Sequence, residues 1–396
     1  RDPMGYVTEY GYDAVGNLIS ATLPNGETYA YTYNHSGFRT SETDPLGNVT
    51  QWEPDRMNRL VKKTLASGAQ YGYAYDVLGR VTGLTGPEGR SLTYAYDDRG
   101  NLASETDALG RVTAYAYDAM HRVTGITDAN LGVTGMSYDA NGNLAELVSP
   151  EGNAEKYTYD ALDRIASRLD PAGAMTQYVY DVMGNLTQIT EPQGRTTTMS
   201  YDANGNMTGV ADALGQTTRY TYDNAGNLIS VQEFDGNVTE YAYDAAGNVT
   251  SIRDPEGKVT TYTYDLNGNL LQSEDASLRQ WRYTYDKIGQ LTSVTDPLGA
   301  VTKYFYDENE NLTRQENADG SALKFDYDVL NRVTGYTDGN GNLTQNSYDA
   351  LGNVIGQVNP DGGEIQYLYD SLSRVTKQRD PMGYVTEYAY DAVGNL

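Results

Sequence analysis

The chain has 396 residues with 54 acidic and 28 basic side chains, a net charge of −26, and it contains 37 Tyr, 42 Gly, 2 His and no Cys. Without cysteine it has neither disulfides nor a Cys-based zinc site, and the acidic charge argues against nucleic-acid binding, which needs clustered Lys and Arg. The sequence has no apolar run of about 18 residues that would predict a membrane span, and its first residues lack the basic and apolar regions of a signal peptide.

A Tyr-Asp pair recurs every 21 residues, from Tyr12-Asp13 to Tyr390-Asp391, in 19 registers without insertion or deletion. We number the columns of the repeat from this Tyr. Tyr fills column 1 in 18 of 19 registers, with Pro54 as the exception, and Asp fills column 2 in 18, with Asn34 as the exception. Such a period is the signature of a repeat architecture rather than of two or three globular domains.

A longer period lies above the 21-residue one. Residues 1–18 recur at 379–396 with a single difference, Gly11 against Ala389, at an offset of 378 residues or 18 repeats. We therefore interpret residues 1–396 as one uninterrupted array of about 18 repeats. Because the chain begins and ends within a repeat, we expect this array to be a window on a longer chain.

The first predicted element of each repeat is a turn, Asp-x-x-Gly, in columns 2 to 5. Asp suits the first position of a type I turn, where its side chain accepts backbone hydrogen bonds, and Gly suits the fourth. Gly fills column 5 in 13 registers. Arg follows five of the six other residues, at Arg59, Arg122, Arg164, Arg332 and Arg374. We expect these arginines to pair with a nearby Asp.

Two strands and a second turn complete the unit. Column 7 is Leu, Val, Ile or Met in 18 of 19 registers and opens a strand of about six residues, and an Asp-Pro-x-Gly turn follows in columns 12 to 15. A second strand, Val-Thr-x-Tyr-x, then leads to the next column 1. Both strands are rich in Thr, Val and Tyr, as β-strands are. Because both connections are short, the sequence predicts an antiparallel meander.

A three-residue hairpin loop with a left-handed Gly in column 5 predicts which columns face each other. Column 1 should face column 7, column 20 should face column 9, and column 18 should face column 11. To keep the same facing, the second turn should pair column 12 with column 17 around a four-residue loop. The opposite face should be wet, because column 19 carries residues such as Glu9, Lys156 and Lys303.

The predicted fold class is all-β: a continuous antiparallel β-meander of 21-residue repeats, two strands per repeat, curling into a spiral tube or shell. One aromatic face cannot be shielded by a flat single sheet, so the sheet must curl or stack on itself. The residues expected to carry the structural repeat are Tyr12, Asp13, Gly16, Leu18, Tyr96, Asp97, Gly100, Tyr180, Asp181, Gly184, Asp296, Pro297, Gly299, Tyr390 and Asp391.

The segment Tyr12-Asp13-Ala14-Val15-Gly16-Asn17-Leu18 and its successors resemble the Rhs family, also called YD repeats, and the resemblance covers the whole chain. In that family the repeats form a spiralling β-sheet that walls off a hollow space, as in bacterial polymorphic toxins, insecticidal toxin complexes and teneurins. The resemblance implies an extracellular or cell-surface wall. It does not carry over self-cleavage or toxin activity, because Asp-Pro-x-Gly occurs here only inside repeats.

No residues predict catalysis. A His-dependent triad could draw only on His35 and His121, and His121 occupies the Gly column of a turn. A single active site also needs a unique constellation, which strict repetition does not supply. We therefore predict no enzyme and no cofactor. Calcium bridging neighbouring acidic turns is the one metal hypothesis, although turn chemistry already accounts for over half of the acidic residues.

Three functional readings follow. The first is a non-catalytic structural scaffold, a secreted or surface wall forming an extracellular hollow tube or fibre with its Tyr-rich face inward. The second is the wall of a toxin-encapsulating cocoon. The third is a carbohydrate-binding surface adhesin, whose tyrosines would stack on sugars. The expected partners are the chain itself, through a longer array or filament, and an enclosed cargo.

Overall fold

The fold is that of a computed structural model, which describes residues 1, 7–391 and 394–396. The two similar segments, residues 1–18 and 379–396, therefore lie partly outside the described residues. Each repeat contributes two strands, as its β-rich segments and Asp-initiated turns predict. Within the described part of the chain, 37 strands form one sheet, and two short 3₁₀ turns lie at Pro87–Gly89 and Pro192–Gly194.

The odd-numbered strands carry columns 17 to 21 and end at column 1. Most of them have six residues, and their side chains alternate between half-buried and exposed. Their bounds are β1 Glu9–Tyr12, β3 Thr28–Tyr33, β5 Val49–Pro54, β7 Gln70–Tyr75, β9 Ser91–Tyr96, β11 Val112–Tyr117, β13 Val133–Tyr138, β15 Ala154–Tyr159, β17 Met175–Tyr180, β19 Thr196–Tyr201, β21 Thr217–Tyr222, β23 Val238–Tyr243, β25 Val259–Tyr264, β27 Gln280–Tyr285, β29 Val301–Tyr306, β31 Ala322–Tyr327, β33 Leu343–Tyr348, β35 Glu364–Tyr369 and β37 Val385–Glu387.

The even-numbered strands begin at the aliphatic column 7. All but one have five residues, and the exception, β10, has six. Their bounds are β2 Leu18–Thr22, β4 Arg39–Thr43, β6 Leu60–Thr64, β8 Val81–Thr85, β10 Leu102–Asp107, β12 Val123–Thr127, β14 Leu144–Val148, β16 Ile165–Leu169, β18 Leu186–Thr190, β20 Met207–Ala211, β22 Leu228–Gln232, β24 Val249–Arg253, β26 Leu270–Glu274, β28 Leu291–Thr295, β30 Leu312–Glu316, β32 Val333–Thr337, β34 Val354–Val358 and β36 Val375–Arg379.

Every strand pairs antiparallel with its neighbours in the chain, as in β1 with β2, β2 with β3 and β11 with β12. The predicted meander is therefore confirmed. Column 1 faces column 7, as predicted, at Tyr12 and Leu18 and at Tyr117 and Val123.

The predicted partners of columns 18 and 20 are wrong, because a β-bulge lies in column 8. In the β11–β12 pair, Tyr117 faces Val123 but Ala116 faces Gly125, so Thr124 is an extra residue. Column 20 consequently faces column 10, as Tyr115 faces Ile126, rather than column 9. Column 18 faces column 12 rather than column 11, as Leu92 faces Asp107 in the β9–β10 pair.

The second turn is correspondingly shorter than predicted. Its column 12 pairs with column 16, not column 17: the Leu23 N–H donates to the Glu27 carbonyl at 2.8 Å around a three-residue loop. A bulge in the strand and an extra residue in the loop shift the register by the same amount. The 21-residue spacing is therefore compatible both with a bulge in column 8 and a three-residue second loop, and with no bulge and a four-residue second loop.

The bulge sorts the columns into two faces. The Tyr face carries columns 1, 18 and 20 of the odd strands and columns 7 and 10 of the even strands. The wet face carries columns 9, 19 and 21, and the predicted exposure of column 19 is confirmed at Glu9, Lys156 and Lys303. Small residues such as Ala116 and Gly125 face each other on the wet face.

The sheet has no packed core of the globular kind. Among the described residues only six are buried, and all six are small: Ala21, Ala69, Gly209, Ser273, Gly335 and Gly356. The accessible surface is 23121 Å² for a mass of 43.4 kDa, whereas a compact monomer of that mass would expose about 15,000 Å². The protein is a wall one sheet thick, with both faces accessible.

The wall spirals back onto itself. Second turns of early repeats contact first turns of late ones, as Glu88 pairs with Arg332 and Asn130 with Ser371. These partners lie 244 and 241 residues apart, or about twelve repeats. Twelve repeats are about 24 strands, which corresponds to about 115 Å of sheet per circuit.

We call the lower layer residues 13–248 and the upper layer residues 286–374. Two further contacts join them: Arg111 Nη1 donates to Ser373 Oγ at 3.1 Å, and Lys287 Nζ lies 3.6 Å from Glu27 Oε2. The two layers meet turn against turn, with second turns of the lower layer against first turns of the upper layer. The predicted spiral is thus confirmed.

Candidate functional site

The first turn is held together by its column 2 Asp. Asp13 Oδ1 accepts the backbone N–H groups of Val15 and Asn17 at 3.0 and 2.8 Å, and Oδ2 accepts the Asn17 side-chain amide at 2.8 Å. The Gly16 N–H closes the turn onto the Asp13 carbonyl at 3.1 Å, with Gly16 at a φ of 94°. Asp, Gly and Asn are therefore each required by a separate bond or angle of this turn.

The structure places the other predicted first-turn residues in the same network. Asp97 and Asp181 accept the side-chain amides of Asn101 and Asn185, and Asp391 accepts that of Asn395, at 2.8 to 2.9 Å. Gly100 and Gly184 stand at φ values of 89° and 94°.

The second turn repeats this geometry with proline. Asp296 Oδ1 accepts the N–H groups of Leu298 and Ala300 at 2.9 and 2.8 Å, and the Gly299 N–H donates to the Asp296 carbonyl at 3.0 Å. Pro297 occupies the second position, where its fixed φ suits the turn.

These bonds also determine the charge state of the turns. The pKa of Asp13 lies below its ordinary value of 3.8, because the Asn17 side-chain amide and backbone N–H both donate to the carboxylate. The pKa of Asp55 is lowered in the same way by the backbone N–H and guanidinium of Arg59. The hydrogen bonds that a metal ion would have to replace therefore already stabilise the ionised form of these two carboxylates. In the described part of the chain no cluster of three or more His, Asp or Glu could hold a metal ion.

The column 1 tyrosines form a ladder from one repeat to the preceding one. Tyr96 Oη donates to the Val81 carbonyl at 2.7 Å, and Tyr243 Oη donates to the Leu228 carbonyl at 2.8 Å. Among the described residues thirteen such bonds are present, each reaching the column 7 carbonyl beside the bulge. The bulge locally disrupts ladder pairing, so the tyrosine supplies a donor where the strand partner does not.

The tyrosines of the Tyr face are only partly buried, but this burial is enough to raise the pKa of several phenol groups. Burial raises the pKa of Tyr117 above its ordinary value of 10.0, and the nearby Asp97 adds to the shift.

One polar cluster interrupts this face: Glu155 accepts two hydrogen bonds from Arg168 and one from Tyr157, at 2.6 to 3.0 Å. Arg168, followed by Tyr157, lowers the pKa of Glu155 to about 2.

The column 6 arginines join consecutive first turns. Arg332 Nε donates to Asp328 Oδ2 at 2.6 Å, its guanidinium lies 4.6 Å from the Tyr348 ring, and Nη1 donates to the Asp349 carbonyl at 3.0 Å. The predicted pairing of Arg with a nearby Asp is confirmed at all five positions: Arg59, Arg122, Arg164, Arg332 and Arg374. Arg also stacks on the next column 1 ring, including those of Tyr180 and Tyr390.

This stacking accompanies five of the six non-Gly residues in column 5; Glu310 is followed by Asn311 instead, and Arg80 makes the same contacts after Gly79. The non-Gly residues of column 5 stand in the left-handed region, for example His121 at a φ of 63° and Ser373 at 60°. That conformation costs an L-residue about 1 to 2 kcal/mol. A charge-assisted bond and a cation–π contact, which Asn in column 6 cannot both make, offset the strain.

Sequence reasoning missed the tips of the first turns. Column 4 carries an apolar side chain larger than Ala in six lower-layer turns and in four upper-layer turns. The lower-layer side chains are 69 to 84% exposed: Val15, Met57, Leu78, Met120, Leu162 and Met183. Those in the upper layer are half-buried: Ile288, Leu330, Leu351 and Leu372. The sequence does show apolar residues at these turn tips, where polar residues are usual, but the 21-residue period does not show which residues the tips contact.

The two histidines are not gathered into a catalytic arrangement with a nucleophile. His121 Nδ1 lies 2.6 Å from the Asn101 amide oxygen at the tip of a turn, and the residue is exposed. His35 lies at the tip of the turn closed by Asn34 and Phe38. Among the described residues there is also no helix long and apolar enough to cross a bilayer.

Comparison with protein families matches nearly the whole chain. The RHS repeat model matches nine overlapping segments: residues 1–28, 12–49, 33–70, 55–91, 96–133, 138–175, 159–196, 180–213 and 201–238. The Teneurin YD-shell model matches residues 258–395. No curated protein sequence matches the chain.

Comparison with solved structures gives the same fold. The crystal structure of TcdB2-TccC3-TEV superposes with a TM-score of 0.81 over 98% of this chain, at 15% sequence identity and covering 26% of that chain. The Photorhabdus luminescens Tc holotoxin pore with a TccC3 mutation gives a TM-score of 0.78 over 97% of this chain, at 15% identity and covering 26% of that chain. This chain therefore spans about a quarter of the length of these structures, and the likeness establishes the fold.

Proposed function

Because the chain belongs to the RHS repeat family, whose model matches more than half of its residues, we propose that it is a non-catalytic structural wall enclosing a hollow space, secreted or displayed at the cell surface as a tube or fibre. The observation that supports this role best is the wall itself. It is one sheet thick, lacks a globular core in its described residues and contacts itself after about twelve repeats.

The energetics also favour a passive wall. Each repeat is secured by the same Asp-centred turns and by a Tyr bond to the preceding repeat, so stability accumulates from neighbour to neighbour, as in other repeat proteins. In this proposal Tyr12, Asp13, Gly16, Leu18 and their equivalents serve the wall and not a ligand.

Electron microscopy of the purified chain tests the wall directly. A circuit of about 115 Å corresponds to a ring about 37 Å across at the backbone. We expect end-on views with a central low-density lumen. Solid particles without a lumen would contradict the proposal.

We further propose that the Tyr face lines the lumen. The chain has no cysteine, so single cysteines at adjacent residues on opposite faces can report their access. Thr239→Cys places the thiol on the Tyr face and Glu240→Cys places it on the wet face. A small maleimide should label both, whereas a large polymer-linked maleimide should label residue 240 faster. The reverse order would contradict the inward orientation, and equal rates in denaturant serve as the control.

A second candidate is the wall of a toxin-encapsulating cocoon, favoured by the structural likeness to TcdB2-TccC3. In that case the full-length protein should protect a cargo segment from added protease, and opening the wall with denaturant should expose it. Cleavage of all segments outside the repeats at equal rates, before and after opening, would favour the open tube instead. Carbohydrate binding stays a prediction.

A further inference from the structure

Arginine occupies column 16, directly after the second turn, in four repeats. In three of them an ion pair joins the guanidinium to the acidic residue of column 12: Arg111 to Asp107, Arg195 to Glu191 and Arg279 to Asp275. The fourth arginine is Arg90, and column 12 of its turn is Gly86. Arg90 therefore lacks the carboxylate that each of the other three arginines has.

Arg90 lines a cleft at the contact between the two layers, with a volume of about 210 Å³. Most of the lining is half-buried and apolar, and it comes from both layers: Tyr71, Leu84, Leu92, Ala108, Ala350 and Leu351. Because Arg90 is exposed whereas these residues are half-buried, we place Arg90 at the mouth of the cleft. An apolar cavity with a small number of polar groups is typical of a small-molecule site.

The carboxylates around the cleft are already engaged. Glu88, in the same turn as Arg90, forms an ion pair with Arg332 of the upper layer. Asp349, which precedes the cleft residue Ala350, accepts two backbone N–H groups and a side-chain amide at 2.8 to 3.0 Å. Within the described residues Arg90 itself makes no side-chain hydrogen bond, ion pair or ring contact. It is a positive charge without a partner, in a chain whose net charge is −26.

The turn itself does not require glycine at residue 86. Gly86 has a φ of −132°, in the extended region that other residues also adopt. A Cβ at this position would lie 3.5 Å from the Tyr71 ring and from the Cβ of Arg90, which is an ordinary contact distance. A larger residue is therefore sterically allowed here, and its absence leaves both the guanidinium and the cleft accessible.

We propose that this cleft binds a small carboxylic acid with an apolar ring or short chain. The carboxylate pairs with Arg90, as the column 12 carboxylates pair with the other three arginines, and such charge-assisted bonds are among the strongest hydrogen bonds in proteins. The apolar part lies among the leucines of the two layers. A cavity of about 150 Å³ holds benzene, so the cleft is large enough for an acid such as benzoate. The site requires the layer contact but not the proposed lumen.

The test is a titration of the full chain with benzoate, followed by ligand-observed NMR, with benzyl alcohol as an uncharged probe of similar shape. Arg90→Gln removes the guanidinium. Gly86→Glu keeps it but supplies an internal carboxylate, as Glu191 does for Arg195. Arg195→Gln is the matched control, because Arg195 occupies the same column, is already paired and has a side chain that is 71% exposed. Circular dichroism establishes that each variant is folded.

We expect benzoate to bind the unmodified chain more tightly than benzyl alcohol does. Arg90→Gln and Gly86→Glu should each weaken benzoate binding about tenfold or more, since each removes a charge-assisted bond to the ligand. Arg195→Gln should leave benzoate binding unchanged, and Arg90→Gln should leave benzyl alcohol binding unchanged. The absence of benzoate binding, or an equal effect of Arg90→Gln and Arg195→Gln on it, would overturn the proposal.

Discussion

The first turns of the lower and upper layers have the same bonds but different surroundings. Asp76 and Asp349 each accept two backbone N–H groups, at 2.9 to 3.0 Å, yet Leu78 is 75% exposed and Leu351 is half-buried. The turn is therefore a local structure that each repeat makes alone. The burial of its tip depends on a layer about twelve repeats away.

Acid should produce the largest effect, and it should act on both layers together. Hydrogen bonds from Asn or Arg side chains and backbone N–H groups outweigh burial and hold the pKa of several turn carboxylates, such as Asp13 and Asp202 in the lower layer and Asp328 and Asp349 in the upper layer, below the ordinary 3.8. A lowered folded-state pKa contributes stability that is present above the unfolded pKa and lost as the pH falls through the folded value. We expect stability to be constant above pH 5 and to decline steeply below 3.8, followed by circular dichroism. A decline beginning near neutral pH would contradict this.

Charging a covered tip should be the next largest perturbation, and it should distinguish the layers. Leu351→Asp places an ionised carboxylate in the cleft between layers and should cost about 1 to 2 kcal/mol of unfolding free energy. Leu78→Asp, the same substitution at an uncovered tip, should change it by less than about 0.5 kcal/mol. Denaturant unfolding measures both. Equal losses would mean that the layers do not meet as described.

Removing one phenol hydroxyl should have a smaller effect that is equal in both layers. Tyr117→Phe and Tyr369→Phe each delete a hydrogen bond, to the Leu102 and Val354 carbonyls at 2.9 and 2.7 Å. Each should cost about 1 kcal/mol, because the ladder runs within a layer. A marked difference between the two variants, measured by denaturant unfolding, would show that the ladder depends on stacking.

Relieving backbone strain should give the smallest change in the free energy of unfolding, and this change should be stabilising. Leu278 holds a φ of 59° in the Gly column of an uncovered second turn. Leu278→Gly should stabilise the chain by about 0.5 to 1 kcal/mol, because glycine adopts this conformation without a steric penalty.

The control for this gain is Leu298→Gly. Leu298 is 94% exposed in a second turn but does not have a positive φ. That substitution should be neutral or slightly destabilising, because it relieves no strain in the folded state and only raises the conformational entropy of the unfolded chain. Stabilisation of both variants in thermal melts would contradict the assignment to strain.

The two turns, the two strands and the meander could be predicted because each is determined within one repeat. Asp, Gly and Pro have position-specific roles in a type I turn, and Tyr and Thr favour strands. The bulge in column 8 was missed because its residues, such as Thr124, carry no distinguishing chemistry. A usable signal was present in column 10, where Ile126 and Val210 are apolar and break simple alternation with column 7.

The layer contact could not be predicted from the repeat. Leu78 and Leu351 occupy the same column, and only the curvature of the sheet decides which of them is covered. Curvature arises from the twist and bulges summed over about 24 strands, so a small change per strand moves the contact by whole repeats. The Arg stacking on Tyr348 and its equivalents was likewise invisible, because it joins residues of consecutive repeats.

The most direct test of the account is a disulfide between the layers. Asn130→Cys and Ser371→Cys place the only two thiols of the chain at a contact that spans 241 residues. Mild oxidation of dilute protein should form an intramolecular bond, seen as faster migration on a non-reducing gel. The control pair, Asn130→Cys with Asn309→Cys three repeats away, should not form one. Failure of the first pair to cross-link, or equal cross-linking of both pairs, would contradict a wall that returns to itself after about twelve repeats.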